Sequence, residues 1–192
     1  MELIDTRRAD IAAGVYVDVL GWPLSAGHRR RPRQGCTCGT PDCPTPGAHP
    51  APGATVWRSG ADLARELEAS PGAGLIAWTE AFDAVSVPRT VGMAAMVSLD
   101  RIAPVPCLVH ETTAVLLVLP ATGRYALDGV EAGEARSGPE GWIALPPSYG
   151  VRWDTTPWVE QANTPVRLLH GRDIRSHLRE AMKYRTGAEV TP

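Results

Sequence analysis

The sequence predicts an α+β fold, an antiparallel or mixed sheet with helices packed on a face. Three observations predict it. Apolar residues recur at helical spacing in four separate stretches. Between them lie paired β-branched and apolar runs that read as hairpins. Hydrophobic residues make up 44% of the 192 positions, enough for a core.

The elements follow in order. "TRRADIAAGVYVDVL", residues 6–20, reads as a helix with Ile11, Val15 and Val19 on one face and Ala12, Tyr16 and Leu20 beside them. Thr6 or Asp5 caps its start and Gly21 ends it. "WPLSAG" is a short strand, and "HRRRPRQG" is a basic loop. After a cysteine-rich loop over residues 35–50, "SGADLARELEAS" is a helix capped by Ser59, with Leu63 and Leu67 inward. "GLIAWTEAFDAVSVP" gives two strands with a turn near Glu80–Ala81. "RTVGMAAMVSLDRIA" is helical, with Met93, Met96, Val97 and Ile102 facing the core. "PCLVHETTAVLLVLP" gives two more strands around Glu111 and Thr112. "RSGPEG" is a loop, and "GWIALPPS" is a strand stopped by two prolines. "IRSHLREAMKY" is a last helix with Ile174, Leu178 and Met182 inward. There is no internal repeat. The reading is one domain over residues 1–185, containing the loop at 35–50, with 186–192 as a frayed tail.

Composition excludes several classes. A formal net charge of −2 argues against a uniformly basic nucleic-acid wrapper. No apolar run approaches the ~20 residues of a membrane span, so no membrane partner is expected. "MELIDTRRAD" lacks the apolar stretch of a signal peptide. The expected location is therefore cytoplasmic, where cysteines stay reduced and clustered ones bind metal.

Cys36, Cys38, Cys43 and His49 stand as C-x-C-x4-C-x5-H. Three thiolates and a neutral imidazole close a tetrahedron around Zn²⁺ with no open position, so the site is structural. Gly39, Pro41, Pro44, Pro46 and Gly47 are turn formers that let the chain wrap an ion. The metal would supply folding energy that this loop cannot draw from burial. Cys107 stands alone and reads as a small buried hydrophobe.

"GWPL" after the first helix, the "CTCGTPDCPTPGAHP" loop and the late "GWIALPPSYGVRW" together resemble the N-terminal domain of bifunctional DNA primase/polymerases. These are the prim-pol proteins of the archaeo-eukaryotic primase superfamily, and the resemblance runs in order over residues 8–160. It implies a primase/polymerase-like fold, an RRM-like sheet joined to a second α/β unit, with the zinc-binding loop. It also implies nucleotidyl transfer, in which an acid pair on one strand and a third acid on a later strand hold two divalent metals. Here the register puts Ser86 and Pro88 at the paired positions and Ala135 at the third. The family's triphosphate-binding histidine falls on Ala114, with His110 four residues away. No D-x-D or D-x-E occurs between residues 74 and 100.

The resemblance thus implies a prim-pol-like scaffold that is catalytically degenerate and binds nucleic acid or a nucleotide. One alternative is an active enzyme that holds Mg²⁺ or Mn²⁺ on Glu80, Asp83 and Glu134. Another is a zinc-braced module that docks a partner protein. Arg29, Arg30, Arg31 and Arg33 beside the cysteines are candidates to grip phosphates, since guanidinium pairs with phosphate bidentately. Arg152, in the late segment, is a further candidate. Trp142, Trp153 and Trp158 in that segment are expected to complete a core edge rather than stack on bases. His170 and His177 are expected to be surface or capping residues.

Overall fold

The computed structural model describes residues 6–159 and 164–188. Its first helix, α1 (Ala9–Gly14), runs into a π-helical turn over Val15–Val19. Strands β1 (Leu24–Arg31) and β2 (Gly35–Cys36), helix α2 (Gly60–Ala69) and strands β3 (Ala73–Trp78) and β4 (Asp83–Pro88) follow. Next come α3 (Arg89–Leu99), β5 (Cys107–His110), β6 (Thr113–Val118) and the short α4 (Gly123–Ala126). The chain continues with β7 (Glu134–Arg136), β8 (Trp142–Leu145) and β9 (Val151–Thr155). It closes with β10 (Trp158–Val159), β11 (Thr164–Pro165) and α5 (Gly171–Ala188). The result is a mixed α+β protein whose paired strands are antiparallel. No described helix is long and apolar enough to cross a membrane.

The chain divides into two compact units. The first holds residues up to Trp78 together with Trp142–Arg152 and Trp158–Pro165. Its sheet has the order β2-β1-β3-β8. The near-continuous apolar run "AGLIAW" makes β3 a central strand, buried along almost its whole length. Helix α2 forms as the sequence predicts: Ser59 accepts from Asp62 N at 3.4 Å, and Leu63 and Leu67 are buried. Asp18 also accepts from Gly60 N, at 3.0 Å, which ties the π-helical turn to the start of α2. Tyr16 stacks on Trp22 at 6.0 Å and meets Trp158, which is a core residue as expected.

The second unit holds Thr79–Gly141, Trp153–Pro157 and the chain from Val166. Its sheet runs β7-β4-β6-β5, followed by the Trp153–Thr155 part of β9. The β5–β6 hairpin turns at Glu111 and Thr112 as predicted, with His110 paired to Thr113. Val85, Val87, Leu116, Met96, Ile174 and Leu178 belong to one core cluster, against which Met182 packs. Gly92 lets α3 lie close on β6, because a Cβ there would stand 2.4 Å from the Ala114 Cβ.

Four local expectations are corrected. "HRRRPRQG" is not a loop throughout, since β1 extends to Arg31 and pairs with β2. The strands within residues 74–88 do not form a hairpin; β3 and β4 lie in different sheets. The buried side of the first helix is Ala12, Ala13, Tyr16 and Val17, while Ile11 and Val19 are exposed. In α3, Val97 is 64% exposed and Ile102, just beyond it, 66% exposed; Val91, Ala95 and Leu99 take the core positions beside Met96.

Candidate metal centre

The cysteine loop is fastened to β1 at two places. Strand β2 pairs Cys36 with Arg30 and Gly35 with Arg31. At the far end of the loop His28 N donates to His49 O at 3.0 Å, and Gly27 bridges to Pro50. Thr37 adds two more bonds: its N donates to Arg29 O at 3.0 Å, and its Oγ1 accepts from Arg29 N at 3.1 Å. This arrangement brings the four predicted ligands together. One ligand atom from each of Cys36, Cys38, Cys43 and His49 lies within 4.8 Å of the others.

The geometry fits a metal ion. His49 Nε2 is 3.2 Å from Cys36 Sγ and 3.5 Å from Cys43 Sγ. With Zn–S near ~2.3 Å and Zn–N near ~2.0 Å, the S···N edge of a tetrahedron is about 3.5 Å. His49 Nδ1 lies 3.3 Å from Pro50 O. A carbonyl only accepts, so Nδ1 carries the proton and the Nε2 lone pair faces the sulfurs. Gly47 N donates to Cys36 Sγ at 3.4 Å. The backbone and then the hydroxyl of Thr40 draw the Cys38 thiol down to about 6. Burial, the largest influence on Cys43, holds its thiol above the ordinary value. Three soft sulfurs and one imidazole suit a closed, structural ion and leave no vertex for a substrate.

His28 is a neighbour that the sequence did not single out. Its ring lies 4.5 Å from that of His49, and its Nδ1 is 3.0 Å from Thr37 Oγ1. Burial is the main influence lowering its pKa, so the ring is kept neutral beside the ligand. Within "HRRR" only the residue type hinted at this.

The arginine candidates occupy β1 and the turn after it. Arg29 is half-buried and donates to Pro71 O at 3.3 Å. Arg30, Arg31 and Arg33 are exposed. The Arg30 guanidinium sits 4.1 Å from the Tyr149 ring centre, a cation–π contact between residues far apart in the chain. Arg30 also lines a cleft of ≈ 510 Å³ beside Cys36, Cys43, Thr40 and Asp42. Arg152 is exposed on β9.

The acidic candidates do not converge. Asp83, Val85 and Val87 alternate toward the core side of β4, whereas Ser86 and Pro88 take the other face. Glu134 lies directly across from Ser86 and so shares that other face. A cleft of ≈ 520 Å³ opens there, lined by Ser86, Pro88, Thr113, Glu131 and Glu134. Glu134 pairs with Arg136 at 3.0 Å, and Glu80 lies exposed between β3 and β4. Asp83 is 1% exposed, and its Oδ2 accepts from Gly123 N at 2.7 Å. Asp83→Ala is therefore expected to destabilise the fold by about 1–3 kcal/mol, because it orphans a buried N–H. Urea melts check this.

Of the other sequence candidates, Cys107 is fully buried. His170 caps α5, its Nδ1 accepting from Arg172 N at 3.0 Å. His177 Nδ1 lies 2.7 Å from Ser98 Oγ. Trp142 and Trp153 are half-buried.

Fold and site together define the class: an α+β protein with antiparallel sheets and a Cys₃His loop able to hold a metal ion. In comparisons with protein-family models, curated proteins and solved structures, the chain finds no match.

Proposed function

We propose that this is a prim-pol-like domain without polymerase chemistry, in which a structural zinc ion braces an arginine-bearing strand for contact with nucleic acid or nucleotide phosphates. One observation carries the reading: both ends of the metal-binding loop are bonded to β1, through β2 and through His49 and Pro50, and Arg29, Arg30 and Arg31 lie on that strand. Zinc bound at Cys36, Cys38, Cys43 and His49 supplies no reaction step; it fixes the backbone from which the guanidinium groups project. A fixed strand presents those groups with less entropy to lose on binding.

The cleft beside Ser86 supports the absence of nucleotidyl transfer. A dinuclear magnesium or manganese centre needs several carboxylates converging on one point. At this cleft the positions matched to the family's acid pair are a serine and a proline, and Asp83 sits on the other face of the strand. Extension of a primed template with Mn²⁺ and dNTPs is expected to stay at background.

The test of the binding reading is electrophoretic or fluorescence titration with a single-stranded oligonucleotide. Affinity should fall as salt rises, since each neutralised phosphate releases a counterion. Arg29→Ala, Arg30→Ala, Arg31→Ala and Arg33→Ala combined should weaken binding by about tenfold or more and flatten the salt slope. Equal binding by parent and quadruple variant would remove the strand from the account. A protein partner captured unchanged after nuclease treatment would favour the docking alternative instead.

A further inference from the structure

A second cationic cluster lies on the other unit and takes no part in the reading above. Helix α4 and the start of α5 meet where Gly171 abuts Thr122: Gly171 N donates to Thr122 Oγ1 at 3.0 Å. A Cβ at Gly171 would stand 2.1 Å from Thr122 O, so only glycine permits this approach. The contact gathers Arg124 and Tyr125 from α4 with His170 and Arg172 from the entry to α5. The guanidinium carbons of Arg124 and Arg172 lie 4.7 Å and 4.9 Å from the centre of the Tyr125 ring. The His170 ring stacks on the same tyrosine at 5.5 Å and 24°. Arg124 Nη2 also donates to the Tyr125 hydroxyl at 2.7 Å.

We propose that Arg124, Arg172 and His170, assembled on Tyr125, form a binding site for a phosphate group of the monoester or diester kind that nucleotides carry. Charge is the first reason. Two guanidinium groups on one ring repel each other, and among the described residues neither forms an ion pair with a carboxylate. No nearby acid pairs directly with either arginine. Asp173 Oδ2 accepts from His170 N, Asp128 pairs with Arg175, and Asp83, whose charge reaches Arg124 only at a distance, is buried with Oδ2 on Gly123 N. The ring quadrupole offsets part of the repulsion, and an incoming oxyanion would offset the rest.

Directed donors are the second reason. His170 Nδ1 accepts from Arg172 N, so in the neutral ring Nε2 carries the proton and points a donor away from the helix. Each guanidinium offers a planar fork that matches two phosphate oxygens. The first amides of α5 are already taken: Gly171 N by Thr122, Arg172 N by the His170 ring, and Asp173 N by His170 O. The ligand is therefore held by side chains, not by the helix end. With the tyrosine ring engaged by His170 and both arginines, no base-stacking platform is left, which points to phosphate rather than base. The inference rests on these residues alone, independently of β1.

The test is an NMR titration of the full chain with inorganic phosphate at constant ionic strength, with chloride as the control. The side-chain signals of Arg124, Arg172 and His170 are followed. Saturable shifts with phosphate and not with chloride are expected. R172K keeps the charge and loses the fork, and should weaken binding by about tenfold; R124Q/R172Q should abolish it. All these side chains are at least partly exposed, and an unchanged melting temperature verifies that the variants fold. Repeating the titration with 5′-dAMP and with oligo(dT) identifies the source, a terminal monoester or a backbone diester, according to which binds more tightly. Identical responses to phosphate and chloride, or undiminished phosphate shifts in R124Q/R172Q, would overturn the proposal. Because the readout is local, it remains decisive even if the β1 variants bind nucleic acid as the parent does.

Discussion

Treatment with a strong chelator is expected to lower the melting temperature of the chain by about 5–15 °C. The loop over residues 35–50 has almost no apolar burial of its own; Cys36 and Ala48 are its only buried hydrophobic side chains. Ordering its sixteen residues costs backbone entropy that the few backbone bonds to β1 do not offset. A bound structural zinc ion supplies the missing folding energy. A loss of about 3–4 kcal/mol on stripping corresponds to a shift of that size, at a few degrees per kcal/mol for a chain of this length. Calorimetry with and without chelator reads the shift. Re-addition of zinc should restore the original transition, and magnesium should not. Cys38→Ser or Cys43→Ser should reproduce the stripped behaviour, since a hydroxyl is a poor substitute for a thiolate on zinc.

Gly47→Ala is expected to cost about 2–4 kcal/mol and to weaken zinc retention by tenfold or more. Two penalties combine. Gly47 sits at φ 75°, a left-handed conformation that costs an L residue about 1 kcal/mol. Its Cβ would also stand 2.7 Å from Arg30 N, and a backbone atom cannot swing aside as a side-chain tip can. The loop would have to lift from β1, and Gly47 N would leave Cys36 Sγ. Gly39→Ala is the matched control. Gly39 has φ 76° but nothing within 4 Å of its Cβ position, so it should show the conformational penalty alone. Zinc competition with a chromophoric chelator and urea melts separate the two variants.

What the sequence made legible was chemistry written over short distances. The ligand set appears as spacing within one loop, and its donor types name the metal class regardless of how the rest folds. Ser59 announces α2 because a cap and its helix are adjacent. The β5–β6 hairpin is legible because its strands are joined by a two-residue turn at Glu111 and Thr112.

What stayed hidden depends on partners distant in the chain. Nothing in "HRRR" marks a strand, because its partners, β3 and the metal loop, lie elsewhere in the chain. β3 and β4 look like a hairpin by their apolar runs, yet β3 pairs with β8 and β4 with β6 and β7. In the first helix a π-helical turn over Val15–Val19 breaks the period of 3.6, so extrapolating from Ile11 to Val19 selects the wrong face. In α3 the packed face is lined by small residues, Gly92 and Ala95, which let the helix approach β6; counting large apolar residues passes over it. The cluster on Tyr125 was invisible for the same reason, since Arg124 and Arg172 are brought together only by the contact of Gly171 with Thr122.

In the proposed function one metal ion fastens the cysteine loop to the arginine-bearing strand, and elemental analysis of purified protein tests this. One equivalent of zinc per chain, lost together with oligonucleotide affinity when Cys36, Cys38 and Cys43 are replaced by serine, is the predicted result. A chain that carries no metal after growth and purification in zinc-replete medium, yet melts and binds as before, would contradict it.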